Sequence, residues 1–171
     1  MTDAQSLCLR VATCLAALAA LTLGCSGSGS DSPTAPGGPA VADVEARSLQ
    51  YLNETRAEEG VGQQLAFSES LSFAARRHSE AMRDQGFFSH IAPNGSDPSD
   101  RILAVGVQFT IAAENIVQVS HPIDPASLAH RELLKSIEHR VNILDPEFSL
   151  AGVGAAQAGQ TWWITQLFVR P

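Results

Sequence analysis

LAGVGAAQAGQTWWITQLFV, from Leu150 to Val169, is the stretch on which the fold turns. It divides into two strands, Leu150 to Ala156 and Thr161 to Val169, joined by a turn at Ala158-Gly159. In the second strand Trp162, Ile164 and Phe168 fall on one side of the pleat, and Trp163, Leu167 and Val169 on the other. Side chains alternate along a strand, so apolar residues on both sides mean a sheet covered on both faces. The Trp162-Trp163 pair therefore reads as core rather than as a ligand box.

Upstream the apolar spacing is helical. Val41, Val44, Leu49 and Leu52 share one stripe, and Gly60 supplies the stop. Ser68 is placed to cap a second helix, with Leu71, Ala74, Ala75, His78 and Met82 on one face and Gly86 closing it. His78, on that stripe, reads as a core or boundary residue. Pro98 to Val105 predicts a short helix ended by Gly106, and Val107, Phe109 and Ile111 then alternate with Gln108 and Thr110 as a strand. Asp124-Pro125 launches a helix reaching about Lys135, and a further turn over Ile137 to Leu144 stops at Asp145-Pro146. Helices first, strands late and a doubly covered sheet predict a single α+β domain, a three-layer α-β-α sandwich.

With 171 residues and 44% apolar content, one globular domain is the natural count, and a monomer is expected. A formal charge of −7 argues against a nucleic-acid partner, whose phosphates it would repel. All three cysteines, Cys8, Cys14 and Cys25, precede the predicted domain, so no disulfide framework supports it.

The amino-terminal part reads as an export signal. Val11 to Leu23 (VATCLAALAALTL) is too short for a membrane anchor and suits the apolar region of a signal peptide. LTLGC, Leu21 to Cys25, looks like a bacterial lipobox, in which cleavage exposes Cys25 for acylation. Thr22 stands where leucine is usual, and a plain signal peptide or a misplaced start codon are the alternatives. Two or three acyl chains, at about 0.8 kcal/mol per buried methylene, would anchor the chain to a membrane. Ser26 to Ala40 (SGSGSDSPTAPGGPA) reads as a flexible tether spanning roughly 20 Å. The expected organisation is a lipoprotein-type signal peptide over 1–24, a lipid-attached linker over 25–40 and the domain over 41–171.

One loop stands out. GFFSHIAPNGSDPSDRI, Gly86 to Ile102, places His90 after two phenylalanines and before a run of turn residues. The histidine either caps the edge of a core or sits at the lip of a cleft, and Asn94-Gly95 is ordinary turn chemistry.

Four blocks in order give the chain a family resemblance. LNETRAEEG with Leu65 following, FFSHIAPNGSDPSDRI, AENI at Ala113 to Ile116, and SIEHRVNIL followed by GVG and WWITQLF resemble the bacterial branch of the CAP superfamily (cysteine-rich secretory proteins, antigen 5, pathogenesis-related 1). The resemblance covers about residues 44–169. It implies an α-β-α sandwich with a cleft where histidines and glutamates converge, here His90, His139 and Glu114. The second glutamate of the eukaryotic pattern falls at Ser136, Leu133 replaces a usual tryptophan, and Ala113 a usual glycine. Glu138 neighbours His139 but points about 100° away on a helix. His121 and His130 have no place in the pattern and read as surface residues.

Two imidazoles and a carboxylate, the set His90, His139 and Glu114, form a ligand set for Zn²⁺ or another divalent cation. Without metal, Glu114 would orient one imidazole and raise its pKa. The favoured function is an envelope-anchored, non-catalytic binding or interaction module taking a divalent metal or a small apolar ligand such as a lipid, a sterol or part of an envelope polymer. The alternative is a metal- or histidine-assisted hydrolase, a peptidase or esterase using His90, Glu114, His139 and Ser136, in which Glu114→Gln would end turnover and leave folding intact. A third is an interaction protein with a vestigial cleft. No nucleophile elbow or metalloprotease helix is present in the sequence.

Overall fold

The structure, a computed structural model, describes residues 11–12, 38–121 and 123–171. The stretch read as a lipobox, Cys25 within it, and most of the residues expected to form a signal peptide and linker lie outside the described residues.

Five helices and five strands follow in the order β1 (Val11–Ala12), α1 (Val41–Glu58), β2 (Ala66–Phe67), α2 (Glu69–Gln85), α3 (Pro98–Ala104), β3 (Ile111–Ser120), α4 (Pro125–Lys135), α5 (Ile137–Leu144), β4 (Leu150–Ala158) and β5 (Thr161–Arg170). The sheet order is β1-β3-β5-β4-β2, antiparallel except for the parallel β2–β4 pair. None of the described helices is long and apolar enough to cross a membrane.

The two faces of β5 divide the core as its alternation predicts. Trp162, Ile164 and Phe168 pack with Val44 and Leu52 of α1, Ala129 and Leu133 of α4 and Ile143 of α5. Leu167 and Val169 pack with Leu71, Ala74 and Ala75 of α2 and Ile102 of α3. Three helices on one side and two on the other make the three-layer α-β-α sandwich. Leu71 and Met82 are fully buried, which stabilises α2 by about 1.5–3 kcal/mol for each.

Local signals explain most boundaries. The Ser68 hydroxyl accepts from the Leu71 N–H at the start of α2, and Gly86 leaves it in the left-handed region at φ 68°. Asp97 and Asp100 form a reciprocal capping box on α3, and the Asp124 carboxylate caps α4. Two expectations shift. The strand expected from Val107 begins only at Ile111, the partner of Arg170, and Thr110 just before it closes the ladder through its N–H to the Arg170 carbonyl. Phe109 is buried there as a loop residue. Ala158 belongs to β4, where it pairs with Thr161, so the turn is Gly159-Gln160.

The opening family block works structurally. The Asn53 side chain donates to the Leu65 carbonyl and accepts from the Leu65 N–H, clamping the chain that leaves α1. Arg56, fully buried, donates to the carbonyls of Gln63, Ile143, Asp145 and Phe148. These contacts fasten the end of α5, the helix that carries His139, to α1. Such carbonyls would otherwise be buried unpaired.

Candidate functional site

The loop after Gly86 is folded around two side chains. Gly95 and Ala92 close a tight turn by the Gly95 N–H to Ala92 carbonyl bond of 2.8 Å, and the Asn94 side chain accepts from the Ser96 N–H at 3.0 Å. Arg101, on α3, then ties the loop down. Its guanidinium donates to the Ser96 carbonyl at 3.1 Å and to the His90 carbonyl at 2.8 Å. The turn residues thus deliver His90 to a fixed place.

That place is beside Glu114. His90 Nδ1 lies 2.7 Å from Glu114 Oε1, and Arg101 Nη2 reaches Oε1 at 3.0 Å and Oε2 at 2.8 Å. A carboxylate only accepts, so the proton of the first bond sits on Nδ1. His90 and Glu114 are 2% and 0% exposed, and His90 Nε2 is buried without a hydrogen-bond partner. His78 closes the cluster: its Nε2 bonds to the Ser89 carbonyl at 3.0 Å and stands 4.0 Å from Glu114 Oε1, with its ring against Phe87. The Phe87-Phe88 pair is only half-buried, and Phe87 serves as a wall for His78.

The neighbour of Glu114 points the other way, as adjacent strand residues must. Asn115 donates to the His139 carbonyl at 3.3 Å and to Gln166 Oε1 at 3.2 Å, and accepts from Asn142 Nδ2 at 2.9 Å. This buried amide network docks α5 against the sheet. His139 is buried and close enough to His90 for a charge on one to disfavour a charge on the other. Glu114 and Asn115 on β3 thus hold the segments of His90 and His139 from opposite faces. Ser136 occupies the N-cap position of α5, half-buried, and Glu138 is exposed.

Glu114 is committed to His90 and Arg101, and no group of three or more His, Cys, Asp or Glu among the described residues is arranged to hold a metal ion. The three-ligand set does not fit as a first shell. Glu114 stands behind His90, placing the proton on Nδ1 and leaving Nε2 on the side of the ring away from the carboxylate.

Burial pushes the His78 imidazole down to about 4; Glu114 opposes this, and Arg101 and His90 add to it. Burial likewise lowers His130 and His139, with His90 adding to the second. A base held neutral in the fold ionises more readily in the open chain. Stability is therefore complete above pH 6.5 and falls as the pH drops from 6.5 toward 4. His78 alone is expected to cost about 2 kcal/mol between pH 7 and pH 5, read as a fall in the urea midpoint. A midpoint that stays level across that range would contradict the burial argument.

Three residues of this region have roles that their sequence positions did not disclose. Arg101 sits in the family block but carried no role, and Asn115 was part of a motif only. His78 read as a core or boundary residue, which its burial agrees with, without its place beside Glu114. The two histidines read as surface residues differ from each other. His121 is half-buried, its Nδ1 accepting from the Ile123 and Asp124 N–H groups. His130 is buried, 2.7 Å from Thr55 Oγ1 and stacked on Tyr51 at 5.7 Å, because α4 turns it toward α1.

A three-layer α-β-α sandwich with a buried His-Glu-Arg cluster built around β3 defines the class of fold. Residues 49–168 match the cysteine-rich secretory protein family, CAP, and the chain belongs to it. It is 32% identical over 129 residues to the uncharacterized protein YkwD of Bacillus subtilis (strain 168), covering 75% of this chain and 48% of that protein, so it spans about half the length of this curated relative. It is similar to the crystal structure of an extracellular protein containing an SCP domain from Bacillus anthracis str. Ames, with TM-score 0.64 and 27% identity over 76% of this chain and 41% of that one. An outer surface protein from Borrelia burgdorferi shares the fold at TM-score 0.69 and 14% identity, over 77% of this chain and 96% of that one.

Proposed function

We propose that the chain is an exported CAP domain, tethered to the cell envelope through acylated Cys25, that binds a ligand at the His90–His139 pair without turning it over. The observation that carries the reading is the state of Glu114. Both its oxygens are engaged by Arg101 and His90, so Glu114 is not free to serve as general base, while His90 Nε2 is buried with no partner. Export is supported by the description of the Bacillus anthracis relative as extracellular.

The ligand class that suits two neutral imidazoles is a borderline divalent cation such as Zn²⁺, with oxygen ligands completing its shell. Bound there, the ion would offer open positions to water or to an oxygen of a partner molecule. Glu114 and Arg101 hold the first imidazole, and Asn115 and Arg56 hold the helix of the second. Calorimetry of the full chain with Zn²⁺ tests this. One site is expected, weakened at least tenfold by His139→Ala, about 1.4 kcal/mol or more. Zn²⁺ heats that are absent in the parent chain, or unchanged in His139→Ala, would reject the reading.

A further inference from the structure

We propose that the groove between α2 and α3 is a separate site, which takes a short extended peptide and grips it by a carboxylate. The groove has a volume of about 600 Å³. One wall is the α2 stripe Phe73, Arg77, Ala81 and Gln85, and the other is formed by Asp100, Arg101 and Ala104 of α3. Residues four apart share a helix face, and the stripe covers about 18 Å at 1.5 Å per residue. An extended segment of five residues has about that length, at roughly 3.3 Å each.

Two observations point to an anionic occupant. Arg77 is exposed and makes no hydrogen bond or ion pair among the described residues, although it lines the groove beside the aromatic ring of Phe73. Arg101 also lines it, with a side chain only 10% exposed, and its Nε–H is buried without an acceptor. The other nitrogens of Arg101 are occupied by Ser96, His90 and Glu114. The one acid on the wall, Asp100, is engaged by the N–H of Asp97 in the cap of α3. A free guanidinium on the groove, with a second guanidinium in its wall whose Nε–H is buried and unsatisfied, calls for a carboxylate.

The rim decides between a peptide and an acyl chain. Gln85, Asn94 and Ser96 are hydrogen-bonding side chains along its length. A hydrocarbon laid over them would remove their water and return no hydrogen bonds. A peptide brings alternating N–H and C=O groups to them, while Phe73 and Val105 meet its side chains. The small Ala81, Ala92 and Ala104 leave room for a backbone to approach. The groove meets the His90 cluster through His78 and Arg101, both in its lining, and neither is a ligand in the metal reading, so the two sites are independent.

Nuclear magnetic resonance titration of the full chain provides the test. The probes are an N-acetylated pentapeptide pool with a free terminal carboxylate, the same pool amidated, and dodecanoate. The carboxylate pool should saturate, moving the resonances of Phe73, Arg77, Gln85 and Ala104. Amidation should weaken binding about tenfold, and so should Arg77→Glu, whereas Ala81→Trp should block the groove outright. Both substituted positions are on the groove-facing side of α2, and a Zn²⁺ titration unaltered in Arg77→Glu would separate this site from the imidazole pair. The proposal is overturned if no peptide saturates, if Arg77→Glu binds the pool unchanged, or if dodecanoate alone moves these resonances.

Discussion

Glu114→Gln should lower the unfolding free energy by about 3–5 kcal/mol, because it strands the guanidinium of Arg101 in a buried site. Arg101 reaches both oxygens of Glu114, and its side chain is only 10% exposed. The amide that replaces the carboxylate keeps one acceptor and presents two donors to neighbours that also donate, Arg101 Nη2 and His90 Nδ1. Read from sequence, the same substitution is a clean test of hydrolysis that leaves the fold intact; the structure makes it a stability variant first. Urea unfolding of Glu114→Gln, Arg101→Leu and the double variant separates the contributions. The double variant should be less destabilised than the sum of the singles, since removing both charges leaves neither one stranded. A Glu114→Gln chain within about 1 kcal/mol of the parent would show that water or rearrangement satisfies Arg101, and the commitment of Glu114 would have to be abandoned.

Much of this architecture could be read from local patterns, and the exceptions have specific causes. The caps at Ser68 and Asp124, the glycine stop at Gly86 and the two-sided strand ending in Val169 are each decided by residues a few positions apart. The start of β3 is not, because it is set by the pairing of Ile111 with Arg170 of β5, far away in the sequence. The burial of His130 depends on Tyr51 and Thr55 in another helix, while its own neighbours, Arg131 and Glu132, are exposed and polar. The site divides in the same way. His90, Glu114 and His139 could be picked out only through ordered motif blocks, since their spacing has no short repeat. The choice between ligand and supporting role for Glu114 turned on Arg101, and nothing in a linear reading says which cation a buried carboxylate will meet.

The GVG block gives the second large effect. Gly154→Ala should destabilise the chain by roughly 4 kcal/mol or more, a size reached only when packing has no room to yield. A methyl at Gly154 would overlap the backbone of Ala75 and Arg76, and one at Gly152 that of Leu71 and Ser72, so α2 rests directly on β4. The helix cannot lift to make space. The Ser79 hydroxyl donates to the Gly154 carbonyl at 3.0 Å, the Val153 N–H donates to Ser72 Oγ at 3.1 Å, and Leu71 and Met82 are fully buried beneath it. Nor can β4 retreat, since Ala155 N–H is held by Glu45 of α1, which also pairs with Arg76. Gly62→Ala is the control: its added methyl meets nothing, and it should change stability by no more than about 0.5 kcal/mol. Urea midpoints of the two variants decide the matter, and equal midpoints would mean that α2 floats over the sheet. Because α2 carries His78 and feeds the loop of His90, whatever Gly154→Ala protein remains folded should also bind Zn²⁺ more weakly than the Gly62→Ala control.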